Sequence, residues 1–248
     1  MKPYHIGIDK DEIKGANIAL LTGDPGRVEK IASFLSEPKM LAVAREYTSY
    51  LGKMNNQYVL VISTGMGGPS TAICVEELAQ IGIKSLIRIG TSGGMQKNVK
   101  QGDVVIAQGA IRAEGTSKEY LPIEFPAVAD LDITCALRKS ANDLKYNCHV
   151  GVVHCKDSFY GQHSPERMPV SYELLNKWQA WKKGGALASE METAALFTVS
   201  STLGLKAGAV LYVIWNQELG DVQLEHNKVV DPDAAIKVAI KTVEKLAK

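Results

Sequence analysis

The chain has 248 residues, 46% of them hydrophobic and 22% charged, with a formal net charge of +1 at pH 7. That length admits one large domain or two small ones with a real core, and the balanced charge excludes a bulk electrostatic case for nucleic acid or an acidic membrane. No apolar run is long enough to span a bilayer, Met1–Gly15 has no signal-peptide core, and cysteines 74, 135, 148 and 155 lack metal-ligand spacing, so a cytoplasmic protein with reduced thiols is expected.

Asn17–Leu21 reads as a short strand running into Gly23-Asp24-Pro25-Gly26-Arg27, with a helix expected from about Arg27 to Leu35. A strand, glycine turn and helix in succession present free amides to a phosphate. Arg27 in the first helical turn opposes the helix dipole, which favours a ligand-facing role. Neither a Walker A loop nor a dinucleotide fingerprint is present.

Val43–Gly52 and Tyr58–Ser63 alternate and are joined at Asn55-Asn56, the pattern of a β-hairpin. Arg45 and Glu46 in its first arm read as a solvated face with a local ion pair. Thr64–Ser70 is a second glycine turn, and Pro69 opens a helix to Ile81 with an apolar stripe of Ile73, Cys74, Leu78 and Ile81.

Ser85–Ile89 is a buried strand broken by Arg88, and Gly90–Gly94 reads as a glycine-rich turn. A guanidinium in a buried strand needs an anion. Two readings stand: Arg88, Thr91 and the amides around Gly93 form half of an anion site, or Arg88 pairs with a structural carboxylate and the glycines only make a turn. Further strands are expected at Gly102–Ile111, His149–Cys155 and Lys206–Trp215, with an irregular cover at Arg112–Phe125. Helices are expected at Leu131–Tyr146, Leu174–Trp181, Glu190–Leu203 and Pro232–Ala247. His154 alternates with apolar neighbours and reads as a core histidine. Lys156–Tyr172, a loop carrying Phe159, Tyr160, Gln162, His163, Glu166 and Arg167, suits a planar polar ligand, although aromatics also staple loops down. Ser189 is the expected cap of the helix after it, with Glu190 and Glu192 favoured in the first turn. Strands alternating with helices imply one domain over 1–248, α/β, with a mixed and largely parallel central sheet covered by helices on both faces.

GDPGR (Gly23–Arg27), REYTSY (Arg45–Tyr50), STGMGGPS (Ser63–Ser70), RIGTSGG (Arg88–Gly94) and SEMETAAL (Ser189–Leu196) occur in this order. Together they resemble the nucleoside phosphorylases of the hexameric α/β fold. PYHIGI (Pro3–Ile8), VEELAQIGI (Val75–Ile83) and EFPAVAD (Glu124–Asp130) are similar to the uridine-cleaving branch of that family. The resemblance implies reversible phosphorolysis of uridine to uracil and ribose 1-phosphate, as a pentosyltransferase of pyrimidine salvage. It implies a phosphate site of Gly23, Arg27, Arg88 and Thr91, with Arg45 lent by a neighbouring subunit. Met191 and Glu192 resemble the ribose contacts, with Glu190 nearby and His5 lent by a neighbour to the ribose 5′ end. Arg88 and Glu192 carry the catalytic expectation.

Phe159 resembles the aromatic that packs on the base, and Gln162 the amide that reads its edge. The resemblance further implies a homo-oligomer built on a dimer, assembled as a trimer of dimers. It implies no cofactor beyond the co-substrate phosphate and no metal, save a monovalent cation such as K+ near Glu46 and Ser70 at the dimer interface. The branch usually carries two further base-side arginines; here Ser164 and Gln217 occupy those positions and Arg167 is the nearest arginine. Asn216 and Gln217 cannot act as the acid that a purine base needs, so uridine is favoured over purine nucleosides, with deoxyuridine and thymidine as alternatives. A water-using nucleosidase should lack the arginine set, a nucleoside-binding protein without turnover could keep it, and a dinucleotide oxidoreductase lacks its fingerprint.

Overall fold

A computed structural model describes residues 2–219 and 231–247. Ile18–Thr22 (β1) is buried throughout and leads into a single 3-10 turn, Pro25–Arg27, whose Asp24 cap accepts a hydrogen bond from the Gly26 amide at 2.8 Å. The helix behind it, Val28–Ala32 (α1), is only five residues long. Ser36–Ala44 (β2), Tyr47–Met54 (β3) and Gln57–Ser63 (β4) form a meander, and Gly68–Ile81 (α2) follows. Ser85–Gly94 (β5) and Val104–Ala113 (β6) come next, then Thr116–Tyr120 (α3), Ala127–Val128 (β7) and Leu131–Asp143 (α4). Cys148–Lys156 (β8), Phe159–His163 (α5), Ser171–Lys183 (α6) and Ala188–Glu190 (β9) lead to Thr193–Thr202 (α7), Lys206–Asn216 (β10) and Ala234–Leu246 (α8).

All ten strands belong to one mixed sheet. Its centre, β4-β1-β5-β10, is parallel. The meander extends it antiparallel on one side. On the other side β6 pairs antiparallel with β10, β8 runs parallel to β6, and β9 returns antiparallel to β5. The ring β5-β10-β6-β8-β9 therefore closes on itself, which removes an exposed edge. Alternation sends Leu21, Leu60, Ile62 and Leu86 to the face covered by α2 and α7. Leu20, Val61, Ile87 and Ile89 go to the face covered by α1, α4 and α8. α7 is buried on all sides from Thr193 to Ser200, with the small hydroxyls of Thr193, Thr198 and Ser200 inside as well as its apolar side chains, so it carries no apolar stripe.

The fold class agrees with the sequence reading, with differences in detail. The arm expected at Val43–Gly52 is two strands, split at Arg45-Glu46 where Arg45 takes φ +55°. The Asn55-Asn56 turn is as expected, both residues having positive φ. The segment Gly90–Gly94 is strand, not turn. Glycine is required there by close approach: a Cβ on Gly90 would lie 2.6 Å from Leu211 Cδ2 and 2.9 Å from Arg88 Nη2.

Candidate active site

The parallel strands end along one edge of the sheet, the position at which open α/β sheets bind ligands. Arg88 is 4% exposed on β5 and faces the α2–α7 side. Its Nε donates to Glu190 Oε2 at 3.1 Å and its Nη2 donates to Glu192 Oε2, while Nη1 is buried without a hydrogen-bond partner among the described residues. Of the two sequence readings, the pairing of Arg88 with carboxylates is what the folded chain displays, in Glu190 and Glu192. Burial alone would lower its pKa, but Glu192 and Glu190 outweigh that and raise it, so the group stays charged.

Arg27 is half-buried and makes no ion pair among the described residues. Burial and the charge of Arg88 both lower its pKa. Two guanidiniums that repel each other, one with a buried donor left over, are an arrangement that an anion placed between them would stabilise. The short α1 and the pairing of Gly93 and Gly94 with Ser189 and Ala188 on β9 and with Trp215 and Asn216 on β10 correct one expectation. Sheet pairing takes up the backbone around Gly93. Gly23 follows β1 directly beside the Gly65 carbonyl, and Thr91 is exposed on β5 in register with Tyr212.

Glu192 is also 4% exposed. Its Oε1 accepts the Gly67 amide at 2.7 Å from the loop between β4 and α2, where Gly67 has φ +91°. Burial raises the Glu192 pKa, Arg88 opposes it and Glu190 adds to it; the net direction is up. Glu190 takes the amides of Glu192 and Thr193 at 2.9 and 3.0 Å and so caps α7. The cap expected at Ser189 is thus corrected: Ser189 lies on β9 and its hydroxyl turns to Gln162. Met191, between the two glutamates, is partly exposed.

Ser189 Oγ donates to Gln162 Oε1 at 2.6 Å, and Gln162 Nε2 donates to Gln217 Oε1 at 3.2 Å. Phe159 on α5 is 51% exposed and lies beside His163 at 4.3 Å between ring centroids. Arg167 is exposed and lies over the Tyr160 ring at 5.3 Å; it is not among the residues that line the cavity holding Gln162 and Gln217. Asn216 is buried and donates to the carbonyls of Gln96 and Val99 at 2.8 and 2.7 Å, a structural role. His154 is buried as expected, stacked on Trp181 at 4.1 Å.

Arg45 and His5 do not join this cluster within the chain. Arg45 is exposed at its turn, donating to Tyr4 Oη at 3.4 Å and lying over the Tyr4 ring. His5 packs edge-on against the same ring and its Nδ1 lies 2.6 Å from Glu77. Glu46 and Ser70 are brought together over Gly65, where an added Cβ would meet Glu46 Cγ at 2.8 Å and Ser70 Oγ at 3.2 Å. Sequence reasoning missed the Gly67 amide on Glu192 and the role of Ser189. Sequence alone gives no sign of either, since both depend on loops meeting across the sheet.

The Phosphorylase superfamily matches residues 17–248. The chain is 52% identical to the uridine phosphorylase of Treponema pallidum over 98% of its length and 93% of the relative's. It is 38% identical to the uridine phosphorylase of Escherichia coli, covering 98% and 97%. A guanosine phosphorylase of Halorubrum lacusprofundi is 36% identical over 89% of this chain and 86% of its own. A match over nearly the whole chain, to relatives of its own length, leaves no doubt about kinship: the chain belongs to the Phosphorylase superfamily.

Proposed function

We propose that the protein catalyses phosphorolysis of uridine to uracil and ribose 1-phosphate. The observation that carries the site assignment is the buried Arg88, clamped by Glu192 and Glu190 with Nη1 unpartnered, beside an unpaired Arg27. Phosphate binds between these guanidiniums near Gly23 and Thr91, and desolvation of the site makes each charge-assisted hydrogen bond count for more than in water. A phosphate oxygen attacks C1′ as the C1′–N1 bond breaks. The electron pair passes into the uracil ring, and the departing base takes up, through solvent, the proton that hydrogen phosphate gives up on becoming the sugar phosphate dianion. The sugar becomes oxocarbenium-like between phosphate and base.

Glu192 suits the ribose. Arg88 and the Gly67 amide fix its carboxylate, and its remaining lone pairs accept sugar hydroxyls while its charge faces the developing cation. Met191 borders the sugar, and Glu190 braces Arg88 from the α7 cap. Phe159 covers the base face, Gln162 and Gln217 hold its edge, and Arg167 closes over the loop through Tyr160. Arg45 and His5, gathered on Tyr4 away from the cluster, serve a neighbouring subunit's phosphate and ribose 5′ end. The working unit on this reading is a dimer within a hexamer. Glu46 and Ser70 form the position for a monovalent cation such as K+ at that interface. No other cofactor enters the reaction. We place the enzyme in the cytoplasm, in pyrimidine salvage, with 1–248 as one domain; no helix of the described residues is long and apolar enough to cross a membrane.

Parallel assays of uridine, deoxyuridine, thymidine and inosine with saturating phosphate test the base assignment. Uridine is expected to lead and inosine to be inert. Faster cleavage of inosine than of uridine contradicts the pairing of Gln162 with Gln217 as a pyrimidine reader.

A further inference from the structure

Lys156 ends β8 at 7% exposure, the one buried lysine among the described residues. Its ammonium donates to Ser189 Oγ at 2.9 Å, and among the described residues this is its single hydrogen-bond partner; no carboxylate lies within ion-pair distance. An ammonium has three donors and is costly to bury without a counter-charge. Burial pushes its pKa below the ordinary lysine value, and the more distant Glu190 and Glu192 offset this only in part. The lysine thus lies in the field of the catalytic carboxylates but is bonded to neither.

Its one bond leads to the base. Ser189 accepts from Lys156 and donates to Gln162 Oε1, which leaves the Gln162 amide nitrogen turned toward Gln217. His154 Nδ1 approaches the same hydroxyl at 3.0 Å; burial pushes that imidazole down to about 3, so it is neutral. Lys156, His154, Gln162 and Gln217 line one cavity of about 1040 Å³. Arg112, also in its wall, is already bonded to the carbonyls of Pro122, Phe125, Ser117 and Leu121. Arg167 is stacked on Tyr160 outside the Gln162–Gln217 pair. Lys156 is therefore the buried cation still available to the base.

We propose that Lys156 is a positioning residue for departure of the base: through Ser189 it orients the Gln162 amide, and its buried charge offsets the negative charge that develops on the pyrimidine. The inference rests on the phosphorolysis reading above. As the C1′–N1 bond breaks, its electron pair spreads over the ring and carbonyl oxygens. A fixed cation in a low-dielectric wall stabilises that charge without reorganising. It supplies what positions 164 and 217, serine and glutamine here, cannot.

The test is Lys156→Met, close in length and apolar, with Lys156→Arg beside it, assayed on uridine and on 5-fluorouridine, whose base is the more acidic leaving group. Lys156→Met is expected to lower kcat on uridine by at least about tenfold, and by much less on 5-fluorouridine. The phosphate KM should hold, the melting temperature should be unchanged or higher, and Lys156→Arg should recover part of the rate. Equal losses on the two nucleosides, or an unchanged kcat, overturn the inference alone. Absence of uracil release by the wild type in the same assay overturns the underlying reading with it.

Discussion

Arg27, in the turn after β1, and Arg88, within β5, are neighbouring arginines that differ in what else they hold. Arg88 neutralises two buried carboxylates, so its removal strands Glu190 and Glu192 and costs about 3–5 kcal/mol of stability besides activity. Arg27 holds none among the described residues, and its neighbour Arg88 repels it. Arg27→Ala is therefore the clean probe of the anion site. The phosphate KM should rise about tenfold to a hundredfold, since a hydrogen bond to a charged group is worth about 1.5–3 kcal/mol. The melting temperature should stay or increase. An unchanged phosphate KM rules Arg27 out. Glu192 gives the pH dependence. Burial holds its pKa above the ordinary carboxylate value, and the reaction needs the ionised form. As pH falls through that raised value, kcat at saturating phosphate should decline earlier than a solvated carboxylate would cause. An acid limb in the ordinary carboxylate range would contradict the role given to Glu192.

At the scale of elements, β5 does most to organise the site. It carries Arg88 into the α2–α7 face, runs on through Gly90–Gly94, and pairs with β10 and β9 to close the barrel. Gly90→Ala should cost about 1–3 kcal/mol by overpacking and displace the Arg88 guanidinium, with a matching loss of turnover. A fully active variant of native melting temperature would show that the Arg88 side chain does not depend on that gap. The sequence made much of this legible. The strand containing Arg88, the Asn55-Asn56 turn and the α2 stripe all follow from local pattern. What misled was glycine: Gly90–Gly94 looks like a turn because glycine usually marks one, but here it admits Leu211 and Arg88 against a continuing strand. Likewise, Glu190 caps α7 although serine has the higher local preference at that position, because β9 holds Ser189 facing Gln162. Lys156, like Arg88, is a cation in an apolar strand, yet only the folded chain shows that no carboxylate among the described residues pairs with it.

Across the whole molecule, the arginines fall into two groups. Arg27 and Arg88 converge at the sheet edge, while Arg45, with His5, gathers on Tyr4 in an exposed cluster. If that cluster completes a neighbour's site, co-expressed Arg27→Ala and Arg45→Ala chains should regain activity at low phosphate well above either variant alone, because one mixed site contains both arginines. No recovery in oligomers verified to be mixed would confine each site to a single chain. Everything above depends on one property: the arginine pair exists to bind phosphate as the attacking group. The most direct test is uracil release from uridine by the wild-type protein with and without phosphate. The account predicts release that needs phosphate and yields ribose 1-phosphate in equal amount. Release at the same rate without phosphate, giving free ribose, would contradict it.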